Sequence, residues 1–167
     1  GNTAEGADGS LTAAFPEAEY VMQRGEIDLA REDNDRIRAS YRGESFEPLL
    51  ADPGRVRVLD GDVPIGPALD ARLAPGHTPF MQVVLVRGGR RTLAFLADLV
   101  PTASHVRYPY IMGYDLDPLA TLASKQRILP EAVREDWLVV FEHDRAVPLA
   151  VLREEDGVIA AHPVETE

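Results

Sequence analysis

Alternation and runs of apolar residues divide the chain into short elements. Gly1 to Leu11 is rich in Gly, Asn, Asp and Ser without an apolar period, which predicts a surface loop. Ala18-Glu19-Tyr20-Val21-Met22 predicts an edge strand. Gly25 to Tyr41 is highly charged, with Ile27, Leu29, Ile37 and Tyr41 as sparse apolar points, and predicts helical turns with a modest hold on the core. Residues 55–59 and 69–73 alternate at period two, each predicting a half-buried strand, with turns at Asp60-Gly61-Asp62 and from Pro64 to Pro67. Met81–Val86 and Thr92–Ala97 are nearly continuous apolar runs around Arg87-Gly88-Gly89-Arg90, predicting a hairpin covered on both faces.

Further on, Asp117-Pro118 is a helix start: an acceptor at the N-cap, then proline at the first helical position. Leu119, Leu122, Ala123 and Gln126 follow helical spacing, and Pro130 predicts a kink or restart. Trp137–Phe141 predicts a buried strand, and Glu154-Glu155-Asp156-Gly157 the turn of a final hairpin between 149–153 and 158–161. Strands mixed with one strong helix make the class α/β. The 167 residues suit one domain, with neither repeat nor interdomain linker.

Charge and composition narrow the chemistry. Seventeen basic against 28 acidic residues give a net charge of −11, and no Lys/Arg cluster is present, so nucleic acid and anionic membranes are not expected partners. No apolar run reaches the roughly 18–20 residues of a membrane span. Without cysteine, any metal must be held by His, Asp or Glu. A cytoplasmic location is the expectation, an upstream signal peptide being beyond what these residues report.

Histidine is sparse: His77, His105, His143 and His162. His77 follows the strand ending at Leu73, Asp98 ends the run 93–97, and His143 follows 137–141 by two residues. Loops beyond strand ends can converge, and two imidazoles with a carboxylate form a natural donor set for zinc or a similar divalent ion. Each residue also has an ordinary reading: a solvated loop histidine, or an aspartate serving a cap or turn. His105 lines a pocket or faces solvent, and His162 reads as inert.

Ala74-Pro75-Gly76-His77-Thr78-Pro79, Phe95-Leu96-Ala97-Asp98-Leu99 and Phe141-Glu142-His143-Asp144, separated by 21 and 45 residues at their donors, resemble the later motifs of the metallo-β-lactamase-fold hydrolases. Phe15-Pro16-Glu17-Ala18-Glu19-Tyr20, Asp60-Gly61-Asp62, Pro101-Thr102-Ala103-Ser104-His105 and Met112-Gly113-Tyr114-Asp115-Leu116-Asp117-Pro118 resemble a lactonase-like and organophosphate-hydrolase-like branch. The resemblance implies an αββα sandwich with one or two metals at an edge of its paired sheets. It makes His77 a ligand of the first metal, His143 of the second, and Asp98 the bridge. The implied reaction is hydrolysis of a small-molecule ester, lactone or phosphoester by metal-bound hydroxide, with zinc as the leading metal; manganese, iron and cobalt accept the same donors.

Two departures qualify the resemblance. Phe80-Met81 stands where the family often has Gly-His, which alters packing more than coordination. The principal motif, His-x-His-x-Asp-His, is absent from the 167 residues. The expectation is therefore the C-terminal portion, 1–167, of a single domain incomplete on its N-terminal side, cut near Gly1 and inactive by itself. Exposed apolar strand faces would then favour aggregation or a homodimer. The competing expectations are a noncatalytic, degenerate binding or dimerisation module, and an acidic α/β domain of unrelated chemistry. Asp144 is read as a carboxylate orienting an imidazole, as pocket lining or as a solvated turn residue, Tyr114 as a residue supporting a ligand or lining the pocket, and Tyr108–Met112 as pocket lining or core.

Overall fold

A computed structural model describes residues 2–165; Gly1, where the sequence suggested a cut, lies outside the described residues. The chain forms two compact units, divided between Asp60 and Gly61.

In the first unit, β1 (Thr3–Glu5) and β2 (Leu11–Ala13) pair antiparallel, where the sequence predicted only a loop. Most of their residues are exposed, so no apolar period marks them; main-chain hydrogen bonds carry the pairing. The turn closes through Gly6 N to Ser10 O (2.8 Å), and Ser10 donates from its amide and its hydroxyl to Asp8 Oδ1. β3 (Tyr20–Gln23) leads into α1 (Arg24–Ala30), then α2 (Glu47–Leu50) and β4 (Val56–Leu59), which pairs parallel to β3. Tyr20, Leu29, Ile37, Leu49 and Leu59 are buried. Ile37 thus holds the core more firmly than its charged surroundings suggest. Val58 is exposed and Leu59 buried, so β4 presents the opposite phase from simple alternation.

The second unit is a seven-stranded sheet with one long helix. Its elements are β5 (Val63–Gly66), β6 (Leu69–Leu73), β7 (Gln82–Val86), β8 (Leu93–Phe95), α3 (Pro118–Arg134), β9 (Leu138–Val140), β10 (Leu149–Glu155) and β11 (Val158–Pro163). The spatial order is β11-β10-β9-β8-β7-β6-β5. Pro64 lies in β5, where a turn was expected; an edge strand tolerates a residue that cannot donate to a neighbour. Neighbours pair antiparallel except β8 and β9, whose parallel pairing requires a crossover, and α3 lies within that connection.

The β7–β8 hairpin forms, with Leu85 opposite Ala94, but it is not covered on both faces as expected: Val86 is exposed on the far side. It buries one face fully, through Val83, Leu85, Ala94 and Leu96, while Val84 and Phe95 are only half-buried. Trp137, Val139 and Phe141 continue the buried layer, with Ala150 and Leu152, against Ile128, Leu129 and Ala132 of α3. The final hairpin turns through Asp156 and Gly157, both at positive φ, as a tight two-residue connection prefers.

Asp117 caps α3 as predicted, accepting from Leu119 N and Ala120 N at 3.0 Å. The buried stripe differs from the predicted one: Thr121, Ser124, Lys125, Ile128, Leu129 and Ala132 face inward, and Leu119 is 78% exposed. Three polar residues in that stripe hide its period. Pro130 neither breaks nor restarts the helix. It and Gln126, whose carbonyl loses its intrahelical partner, both sit on the exposed side, where water can serve the carbonyl.

Candidate metal centre

The loop after β6 is fixed before it reaches His77. Ala74 N donates to Met81 O (2.7 Å), and Gly76 adopts φ +145°. A Cβ at Gly76 would fall well under 3.0 Å from the Thr121 backbone and hydroxyl, so only glycine lets the loop lie on the first turn of α3. Ser124 Oγ donates to Pro75 O (2.7 Å), Asp117 N to Gly76 O (2.9 Å) and Leu116 N to His77 O (3.1 Å). The inward polar residues of α3 therefore serve the loops. Lys125 Nζ does the same for the next loop, donating to Arg107 O (2.6 Å) and Tyr110 O (2.9 Å).

Asp98 sits in the 3-10 turn Ala97–Leu99 directly after β8. Ala97 takes φ +48°, a conformation costing a non-glycine residue about 1–2 kcal/mol, and buried Leu96, Leu99 and Val100 hold the turn around it. His143 follows β9 through Phe141, and its amide donates to Pro101 O (3.1 Å). Asp144 accepts from Ala103 N, Ala146 N and Val147 N at 2.9–3.0 Å, and these bonds hold its carboxyl below the usual range. It braces the loop beginning at Pro101 against the His143 loop, so the turn reading is the right one, with a structural duty added.

The three predicted donors converge. His77 Nε2 lies 3.4 Å from Asp98 Oδ2, and His143 Nε2 lies 3.3 Å from Asp98 Oδ1. Each oxygen of one carboxylate thus faces a different imidazole. Two further residues join them. Glu142 Oε1 is 3.7 Å from His143 Nε2, and ligand atoms of Asp98, Glu142 and His143 lie within 4.8 Å of one another. Burial, then the charge of Asp98, push the Glu142 carboxyl above its ordinary value. Asp115, with a side chain only 1% exposed, places Oδ1 3.0 Å from His77 Nδ1 and accepts from Thr121 Oγ1 at 2.6 Å through Oδ2.

Sequence reasoning passed over both acids. Glu142 was signalled by adjacency to His143. Asp115 had no local signal, because its contact spans 38 residues. Tyr114 is 78% exposed. His105 pairs through Nδ1 with Thr102 Oγ1 (2.7 Å), and His162 Nε2 lies 2.9 Å from Glu155 Oε1. Tyr110 joins Ala103, Ser104, Val106, Arg107 and residues 159–161 in lining an open groove of about 340 Å³, in which His105 has no part, while Tyr108 packs on the core.

Comparison with family profiles and with curated proteins gives no match. Solved structures do match. A probable metal-dependent hydrolase from Staphylococcus aureus superposes with a TM-score of 0.79 at 18% identity, over 93% of this chain and 56% of its own. The hydrolase AbOPH of the beta-lactamase superfamily gives 0.81 at 16%, over 100% and 60%. AidC, a dizinc quorum-quenching lactonase, gives 0.74 at 19%, over 93% and 58%. This chain has the metallo-β-lactamase fold. It spans under two thirds of the length of those three structures. Among the described residues no helix is long and apolar enough to cross a membrane.

Proposed function

We propose that residues 1–167 form the C-terminal portion of one metallo-β-lactamase-fold domain, and that His77, Asp98 and His143 are its share of a dinuclear hydrolase centre. The observation that carries this is the single Asp98 carboxylate facing an imidazole nitrogen on each side at 3.3–3.4 Å. The donor set suits the group: two nitrogens and carboxylate oxygens are ordinary ligands of zinc, the ion we favour. Burial, and then the Asp98 charge, disfavour the ionised Glu142 carboxylate, and a nearby cation would offset both.

Two divalent ions in such a centre lower the pKa of bound water and polarise a carbonyl or phosphoryl oxygen. Asp98 would lie between the two cation positions and offset their mutual repulsion. His77 and His143 would each add one neutral donor on its own side. That is two donors per side with Asp98 shared, below the three protein ligands usual for catalytic zinc. The missing ligands match the His-x-His-x-Asp-His motif that these residues lack. The substrate class is a small ester, lactone or phosphoester.

Zinc titration of the chain against a chromogenic chelator tests the donor set. Weak, saturable uptake in the wild type and its loss in Asp98→Ala and His143→Ala is the expected result; uptake unchanged in Asp98→Ala overturns the bridge. Where the coding sequence carries His-x-His-x-Asp-His in frame upstream, the longer protein should hold close to two metals per chain and hydrolyse lactone or phosphoester. Full turnover of that protein without Asp98 refutes the assignment.

A further inference from the structure

Asp115 is buried beside the donor loop yet carries no place in the ligand set. Its Oδ1 lies 3.0 Å from Nδ1 of His77, while Oδ2 is fixed by the Thr121 hydroxyl at 2.6 Å. Thr121 is itself held at the first turn of α3, its hydroxyl 3.2 Å from Asp117 O and its backbone packed against Gly76. A carboxylate has no proton to give, so the hydrogen in the Asp115–His77 contact belongs to Nδ1. Nε2, across the ring, faces Asp98 Oδ2 at 3.4 Å. Asp98 competes for a proton there, but its contact is longer and its side chain is 26% exposed against 1% for Asp115. The shorter bond in the drier surroundings prevails.

We propose that Asp115 is a positioning residue that holds His77 in the Nδ1–H tautomer, with the Nε2 lone pair already aimed at the space beside Asp98. This rests on the reading of His77 as a metal donor. The consequence is specific: a neutral imidazole free in water favours the proton on Nε2, which would have to move before that nitrogen could bind a cation. Carboxylate partners of this kind also raise ligand basicity, and their loss typically costs about 10–100-fold in metal affinity.

The test is a long-range proton–nitrogen correlation spectrum of the histidine side chains in the full chain without metal, at one fixed pH above the imidazole range. His77 should show a protonated Nδ1 in the wild type and in Asp115→Asn, whose amide oxygen still accepts. Asp115→Ala should shift it toward Nε2–H, and Thr121→Val should do so partially. An Nε2–H ring in the wild type overturns the proposal, as does a spectrum unchanged in folded Asp115→Ala. If Asp115→Ala does not fold, the wild-type spectrum and Thr121→Val decide it. Zinc titration then separates the two claims. A 10–100-fold weaker affinity in Asp115→Ala supports positioning, and unchanged affinity overturns it. The Nδ1–H tautomer in a wild type that takes up no zinc leaves positioning intact and sinks the donor reading.

Discussion

Replacing Gly76 with alanine tests how tightly the donor loop is bound to the helix that supports it. Two costs arise at this position. At φ +145° an L side chain enters a region that essentially only glycine occupies, costing about 1–3 kcal/mol. The new methyl would also meet the Thr121 backbone, so either the loop or the first turn of α3 must retreat, and such overpacking costs typically 1–3 kcal/mol. The expected loss is therefore about 2–6 kcal/mol. Gly157→Ala is the matched control: φ is +77° and no atom lies within 4 Å of its added Cβ, leaving a left-handed penalty of about 1–2 kcal/mol alone. Both variants change the unfolded chain in the same way, so that contribution cancels in the comparison. Urea unfolding, with midpoints compared at constant slope, measures the difference. Because Gly76 O and His77 O accept from Asp117 N and Leu116 N, Gly76→Ala should also weaken zinc uptake, whereas Gly157→Ala should not. A Gly76→Ala protein no less stable than Gly157→Ala would show that the loop does not depend on this close approach.

The polar stripe of α3 gives a pH dependence. Burial lowers the Lys125 ammonium from its ordinary 10.5 to about 8, with nearby Asp115 pulling the other way. Between those values the unfolded chain binds the extra proton, so stability rises with pH across the window and the benefit is lost as pH falls through about 8. Denaturant unfolding should show the wild type gaining on Lys125→Met from pH 8 to 10.5, and parallel profiles would refute the shift. Pro130 lies on the exposed side of an unbroken helix, so Pro130→Ala should restore the hydrogen bond to Gln126 O and raise stability by about 1–3 kcal/mol in thermal unfolding. An unchanged melting temperature would show that this turn has no hydrogen bond to regain.

Elements with a strong local signal were legible in the sequence. The β7–β8 hairpin, the Asp117 cap and the final hairpin each carry their chemistry within a few residues. The β1–β2 pair was not legible, because its strands bury little and leave no apolar period. Pro64 misled in a different way: it reads as a turn unless the strand is known to be at an edge, and edge position is a property of the whole sheet. The inward face of α3 was misassigned because Thr121, Ser124 and Lys125 are buried by their hydrogen bonds to other segments. Motif order singled out His77, Asp98 and His143, which the fold brings together, whereas Asp115 becomes visible only once Gly76 is seen lying on the helix.

The same bracing bears on what limits metal binding. The His77 loop is tied to α3 through the Pro75 carbonyl and to Leu116 and Asp117 just before that helix through the His77 and Gly76 carbonyls, and the His143 loop is tied to the Pro101–Ala103 segment through the His143 amide and the Asp144 carboxylate. None of these bonds uses an atom we assign to a metal. The loops that carry His77 and His143 are accordingly held in place by the protein, and binding an ion need not order them first. On the proposed reading, zinc affinity in these 167 residues would be set by the number of ligands more than by loop order. Stiffening the loops would then change zinc uptake little, while supplying further donors, as His-x-His-x-Asp-His would, gains from loops around His77 and His143 whose backbone ordering is already spent in folding.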